Sequence, residues 1–164
     1  MKKYLILFAV LLIAVLFSAC DKESDTVFTE MNEEVSSLLA SDGISNVEKI
    51  NVWAQMTESQ LKRADDFKAL IKEEYKKRTD EYAKSGMYEN VGITYDDLCK
   101  SVDEYFDYLE NEYNSNSEFF ENQSFALYGT GSAGASYKAS KQYECAKSFA
   151  DKAESFYNEL MGGV

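Results

Sequence analysis

Histidine and proline are both absent from this 164-residue chain. Without histidine there is no Ser–His or Cys–His pair to activate a nucleophile. The Glu-x-x-His pairs that hold two metals inside carboxylate-bridged helical bundles cannot be assembled either. Without proline, only glycine is left to interrupt a helix. The eight glycines fall in four places: Gly43; Gly86 and Gly92; Gly129, Gly131 and Gly134; Gly162 and Gly163. None of the three cysteines forms a CxxC pair, so redox catalysis has no motif behind it. Strand-like alternation over four or more residues is missing too. Basic charge is scarce, with 17 Lys and Arg against 29 Asp and Glu and a net charge of −12. Binding to nucleic acid needs a net basic face, and adsorption to anionic headgroups needs basic clusters. The composition disfavours both.

One long hydrophobic run is present. Lys2 and Lys3 precede Tyr4 to Phe17, which is apolar throughout and has the length of a secretory h-region. It is short for a membrane-spanning helix, which wants about 20 apolar residues. Phe17-Ser18-Ala19-Cys20 closes the run, and Asp21-Lys22-Glu23-Ser24-Asp25 ends the hydrophobicity abruptly. An ordinary signal-peptidase site wants a small residue third from the cut, where Phe17 stands. Residues 1–20 instead resemble the precursor of a bacterial lipoprotein, with its box of apolar, small, small, cysteine. The resemblance implies a signal peptide over 1–19, a diacylglyceryl thioether on Cys20, acylation of the new amino group, and a short tether over 20–25. Two or more acyl chains hold a protein on a bilayer stably. Asp21 resembles an inner-membrane retention signal of some double-membraned bacteria. The alternative is an uncleaved anchor helix with an incidental cysteine.

Residues 20–164 are long enough for one domain with a real core. Loss of Lys2 and Lys3 takes the net charge from −12 to −14. Segment 21–43 holds seven acids against Lys22, and segment 94–121 holds nine against Lys100, whereas 45–85 is near neutral.

The glycines cut this part into candidate helices near 26–41, 45–85, 94–127 and 135–161. Ser45-Asn46-Val47-Glu48 is a capping box, and Thr94-Tyr95-Asp96-Asp97 is a variant of one. Apolar residues recur at three-four spacing. One stripe runs Val47, Ile50, Ala54, Thr57, Leu61, Ala64, Ile71, Tyr75 and Tyr82. The next runs Tyr95, Leu98, Val102, Tyr105, Leu109 and Tyr113. The last runs Ala139, Tyr143, Ala146, Ala150, Ala153, Tyr157 and Leu160. Such narrow stripes belong to helices packed nearly antiparallel. The expected fold over 26–164 is all-α: an elongated up-and-down antiparallel bundle of three long helices with a shorter N-terminal helix. Asn114-Ser115-Asn116-Ser117 is a candidate break in the third. Val52, Trp53 and Met56 lie off the main stripe. Either the first helix folds back onto them, or Trp53 and Met56 form an exposed docking patch.

Four further features bear on chemistry. Gly129-Thr130-Gly131-Ser132-Ala133-Gly134 matches the dinucleotide fingerprint GxGxxG, but only one helix follows and no second strand exists for a βαβ unit; a helix–helix loop is the expectation. Cys99 and Cys145 form an even pair, yet in a simple hairpin turning near Thr130 they sit roughly 22 Å apart along the axis, too far for a bridge. A disulfide therefore requires the third helix to break. Asp103, Asp107 and Glu110 share a helix face, either as a solvated surface opposite the basic stretch Lys62 to Arg78 or as a contact for a cationic partner. Tyr108 lies off the core stripe as a candidate contact.

These observations lead to an expectation of a non-enzymatic binding protein of the bacterial cell envelope, outside the cytoplasm and held on the bilayer through Cys20, with no cofactor and no metal. Its partner is expected to be a cationic protein, as for an inhibitor or an immunity-type protein. The alternative is a structural protein that self-associates or acts as a spacer. An enzyme or ligand carrier would need an interior cavity lined by tyrosines and Cys99 or Cys145.

Overall fold

A computed structural model describes Val35, Leu39, residues 43–85 and residues 94–162. Three helices account for nearly all of them: α1 (Asn46–Lys84), α2 (Tyr95–Tyr128) and α3 (Ser132–Gly162). No strand occurs among the described residues. The leader expected over 1–19, Cys20 and the tether expected over 20–25, the domain boundary expected at residue 26 and most of the first expected helix lie outside them. Val35 and Leu39 are the two described positions in that helix; both are helical and buried.

The helix starts are set by local hydrogen bonding. At α1 the Ser45 N–H donates to Glu48 Oε2 at 3.1 Å and the Glu48 N–H donates to Ser45 Oγ at 3.3 Å. Two orphan donors of the first turn are thereby satisfied reciprocally. Thr94 and Asp97 make the same exchange at α2. Gly129 ends α2 with φ +66°, a conformation that costs glycine nothing, and its N–H bonds to the Phe125 carbonyl at 2.9 Å. Helix α2 runs unbroken through Asn114–Ser117, which corrects the break considered there. Tertiary packing overrides the weak helix propensity of Asn and Ser.

The chain divides into two compact units, 1–52 and 53–164, with the boundary inside α1. In the second unit α2 and α3 form an antiparallel hairpin. Its register is fixed by Ser124 with Gly134, Gln123 with Tyr137, Glu121 with Lys138, Glu112 with Lys152, and Tyr105 with Phe156. The facing side of α3 is a seam of small residues, with Gly134, Ala139, Ala146, Ala150 and Ala153 all buried. Small side chains let two helix backbones approach closely. The rest of α1 runs parallel to α3, with Trp53 against Tyr143, Arg63 on Asp151, and Phe67 against Tyr157. Its contacts are made largely through long side chains. The core common to the three helices is Ala64, Ile71, Val102, Phe106, Leu109, Phe149, Ala150 and Ala153.

The expected stripe of α1 holds at Ala64 and Ile71 and fails at its ends. Val47, Ala54 and Tyr82 are exposed, whereas Val52, Met56, Gln60 and Thr79 are buried. The physical reason is Gln60. A buried polar residue in the Val52-Met56-Gln60-Ala64 row disguised that row, so the apolar count favoured its neighbour. Gln60 has a partner, because its Oε1 accepts from Arg63 at 3.2 Å.

Candidate functional site

Helix α2 carries the acidic face singled out by sequence, and the structure divides it. Asp103 turns toward α1 and accepts from both Lys72, at 2.7 Å, and Lys68, at 2.8 Å. Hydrogen bonds from Lys68 and then Lys72 hold its carboxyl below the ordinary Asp range. Asp103 is therefore committed to holding α1 against α2. Lys68, the polar gap in the apolar stripe of α1, also lies 5.5 Å from the Phe106 ring centroid. Glu112 and Glu121 are likewise taken by Lys152 and Lys138 of α3.

Asp107 and Glu110 are different. Both are exposed, and neither has an ion pair among the described residues. Tyr108 stands between them with 63% of its surface in solvent. Glu104, one turn before, has among the described residues a single ion pair, with Lys100 at 3.8 Å and with both side chains well exposed. Asp96 and Glu118 lie toward either end of the helix, exposed and without an ion pair among the described residues. Of the four residues nominated on this helix, the structure thus keeps Asp107, Tyr108 and Glu110 together on the outside and withdraws Asp103.

Trp53 and Met56 do not make the exposed pair considered above. Met56 is 3% exposed, which takes it out of any surface patch. Trp53 is half-buried, its ring 5.1 Å from that of Tyr143.

Cys99 and Cys145 are free thiols, half-buried and buried respectively. The hairpin register sets Cys99 beside the last turn of α3, far along the axis from Cys145. Burial and then the Glu144 carboxylate push the Cys145 thiol up, against a smaller opposing pull from Lys141. Burial and a raised pKa keep the Cys145 thiol from acting as an activated nucleophile.

Among the described residues no cluster of acids and thiols is arranged to hold a metal ion, and no helix is long and apolar enough to cross a membrane. A shallow depression of about 340 Å³ lies on the outer side of α3, lined by Glu144, Lys147, Ser148, Asp151, Lys152 and Ser155. Its charges are mutually engaged: Lys147 pairs with Asp151, which also meets Arg63. The GxGxxG segment is the α2–α3 turn, Gly129 to Gly131, together with the first three residues of α3, so helices and not strands lie on both sides.

Sequence reasoning missed two features. The first is Arg63, which reaches from α1 to Asp151 and Glu154 of α3 with its side chain only 16% exposed. Spacing within one helix carries no trace of that cross-helix pairing. The second is the hairpin end. Asn122 to Tyr137 contains no charged residue, and in it Phe125, Leu127 and Tyr128 are all exposed. That gap in the charge pattern was a legible signal.

The described residues define an all-helical arrangement of three long helices, with an acidic, tyrosine-bearing outer face on α2. No protein-family model, no curated protein and no solved structure matches the chain.

Proposed function

We propose that this is a lipid-anchored, acidic helical binding protein of the bacterial envelope, which holds a cationic protein partner on the outer face of α2. One form this takes is an inhibitor or immunity-type protein against a basic target. The observation that carries the reading is the trio Asp107, Tyr108 and Glu110: two exposed carboxylates with no ion pair among the described residues, flanking a tyrosine mostly in solvent. Acidic side chains that the fold itself does not use are free to steer a basic partner and fix its register. Tyr108 supplies contact area at low entropy cost. The reading treats the protein as a binder rather than an enzyme, in keeping with a chain that has no histidine. The address rests on Cys20 and the run before it.

The test is capture from its own cells with the full-length protein, wild type against Asp107→Asn/Glu110→Gln and Tyr108→Ala. The reading expects a basic protein whose retention falls steeply between low and high salt and weakens at least about tenfold in the double variant. A partner held equally by both, or held independently of salt, would refute it. Labelling of Cys20 by palmitate in growing cells tests the anchor separately.

A further inference from the structure

The outward surface of α2 carries two exposed rings in register. Tyr108 has 63% of its surface in solvent and Phe119 has 58%. From one to the other the chain makes three helical turns, so they lie within about 20° of one line and about 16 Å apart along the axis. The surface between them carries Asn111 and Ser115, both exposed, short and uncharged. Phe119 is braced by Phe120, with ring centroids 5.3 Å apart and edge to face.

The charges beside this line have one sign. Glu104, Asp107 and Glu118 are exposed and fall on the same flank of it, within about a third of a turn of Tyr108. No lysine or arginine occurs from Ser101 to Tyr137. Bases that reach α2 from its neighbours are engaged elsewhere: Lys68 and Lys72 with Asp103, Lys152 with Glu112, Lys138 with Glu121. Two rings with carboxylates along one flank are complementary to an apolar ridge with a cationic flank.

We infer that this face seats an amphipathic helix of a basic protein, packed along α2 with its apolar ridge on Tyr108 and Phe119 and its lysines or arginines toward the carboxylates. This rests on the proposed cationic partner and names the element through which that partner binds. Charge selects the basic side chains, and spacing selects the helix. A helix laid alongside α2 at about 20° returns the same face after the same three turns, with further ridge residues at i+4 and i+7. A strand returns one face every two residues, about 6.7 Å, so about 16 Å falls between its third and fourth side chains on that face. A cation that meets a ring and a neighbouring carboxylate together gains from both.

The experiment uses the full-length protein in a nonionic detergent and two synthetic peptides of identical composition. One is a helix with leucines at i, i+4, i+7 and i+11 flanked by lysines. The other permutes the same residues so that no helical face is apolar. By fluorescence anisotropy at low salt the first should bind at least about tenfold more tightly than the second. Tyr108→Ser and Phe119→Ser should each weaken it about fivefold or more. Leu127→Ser, about 100° off the line, and Tyr82→Ser on α1 should leave it unchanged, although both residues are comparably exposed. All four are surface exchanges that the fold tolerates. Binding of neither peptide, or equal losses in all four variants, would overturn the inference. Equal affinity for the two peptides would remove the helix and leave the cationic partner standing.

Discussion

The hydroxyl of Ser124 on α2 donates to the carbonyl of Gly134 on α3 across 2.7 Å, and both residues are buried. Gly134 owes its identity to this approach. A Cβ placed there would meet the Gly129 carbonyl oxygen at 3.0 Å, the Tyr128 Cβ at 3.1 Å and the Ser124 Oγ at 3.2 Å. The first is backbone and cannot swing aside. Gly134→Val is therefore expected to lower stability by about 2 kcal/mol through overpacking, despite the helix propensity gained. Ser124→Ala is expected to cost about 1 kcal/mol. Urea denaturation of both variants checks this, with Gly134→Val the more damaging.

Arg63 should dominate the ionic contacts between α1 and α3. It is largely buried, meets Asp151 at 3.1 Å and also Glu154, and lies over Phe67. Truncation leaves Glu154 without its cation, strips Asp151 of one of its two, and removes packed methylenes. A loss of about 1–3 kcal/mol is expected for Arg63→Ala. Lys100→Ala, which breaks a solvated 3.8 Å pair, should change stability by less than about 0.5 kcal/mol. Equal effects in thermal unfolding would refute the ranking.

Three carboxyls have folded pKa values depressed by hydrogen bonds: Asp103 by Lys68 and Lys72, Asp97 by the Thr94 hydroxyl and N–H, and Glu74 by Arg78. The folded state therefore binds these protons less readily than the unfolded chain. The stability they contribute is present above the ordinary carboxylate range near pH 4 and is lost as pH falls below it. Melting temperature should decline on acidification through that window. Asp103→Asn should flatten the decline while leaving Asp97 and Glu74 to act.

The two thiols should differ in reactivity. Cys145 is buried with its thiol pushed up, whereas Cys99 is half-buried at the start of α2. Native alkylation at pH 8 is expected to modify Cys99 first, with Cys145 reacting only on unfolding. Mild oxidation should give no intramolecular bridge, because the antiparallel register holds the pair far beyond disulfide reach. A rapid 99–145 crosslink would contradict the register itself.

Helix limits were legible because their causes are local. Ser45 with Glu48 and Thr94 with Asp97 announce two helix starts within four residues each, and Gly129 ends α2 through its own backbone freedom. The start of α3 was less so: the structure begins it at Ser132, three residues before the expected 135, because glycines at 131 and 134 looked like loop. The alanine row of α3 was readable since its residues are all small and regularly spaced. The row of α1 was misread at its ends because Gln60 hides the buried side.

By itself, then, the amino-acid order determined the class: helices, their approximate extents, their antiparallel alternation and the acidity of α2. These follow from capping, glycine placement and 3.6-residue periodicity, which act within a turn or two of the chain. Only the tertiary structure decided which acids are committed and which are free, sending Asp103 to Lys68 and Lys72 while leaving Asp107 and Glu110 outside. It alone buried Met56 and set Phe125 and Leu127 at an uncharged tip. Those outcomes depend on which helix lies opposite and at what register, and register is fixed by contacts between residues far apart in the chain.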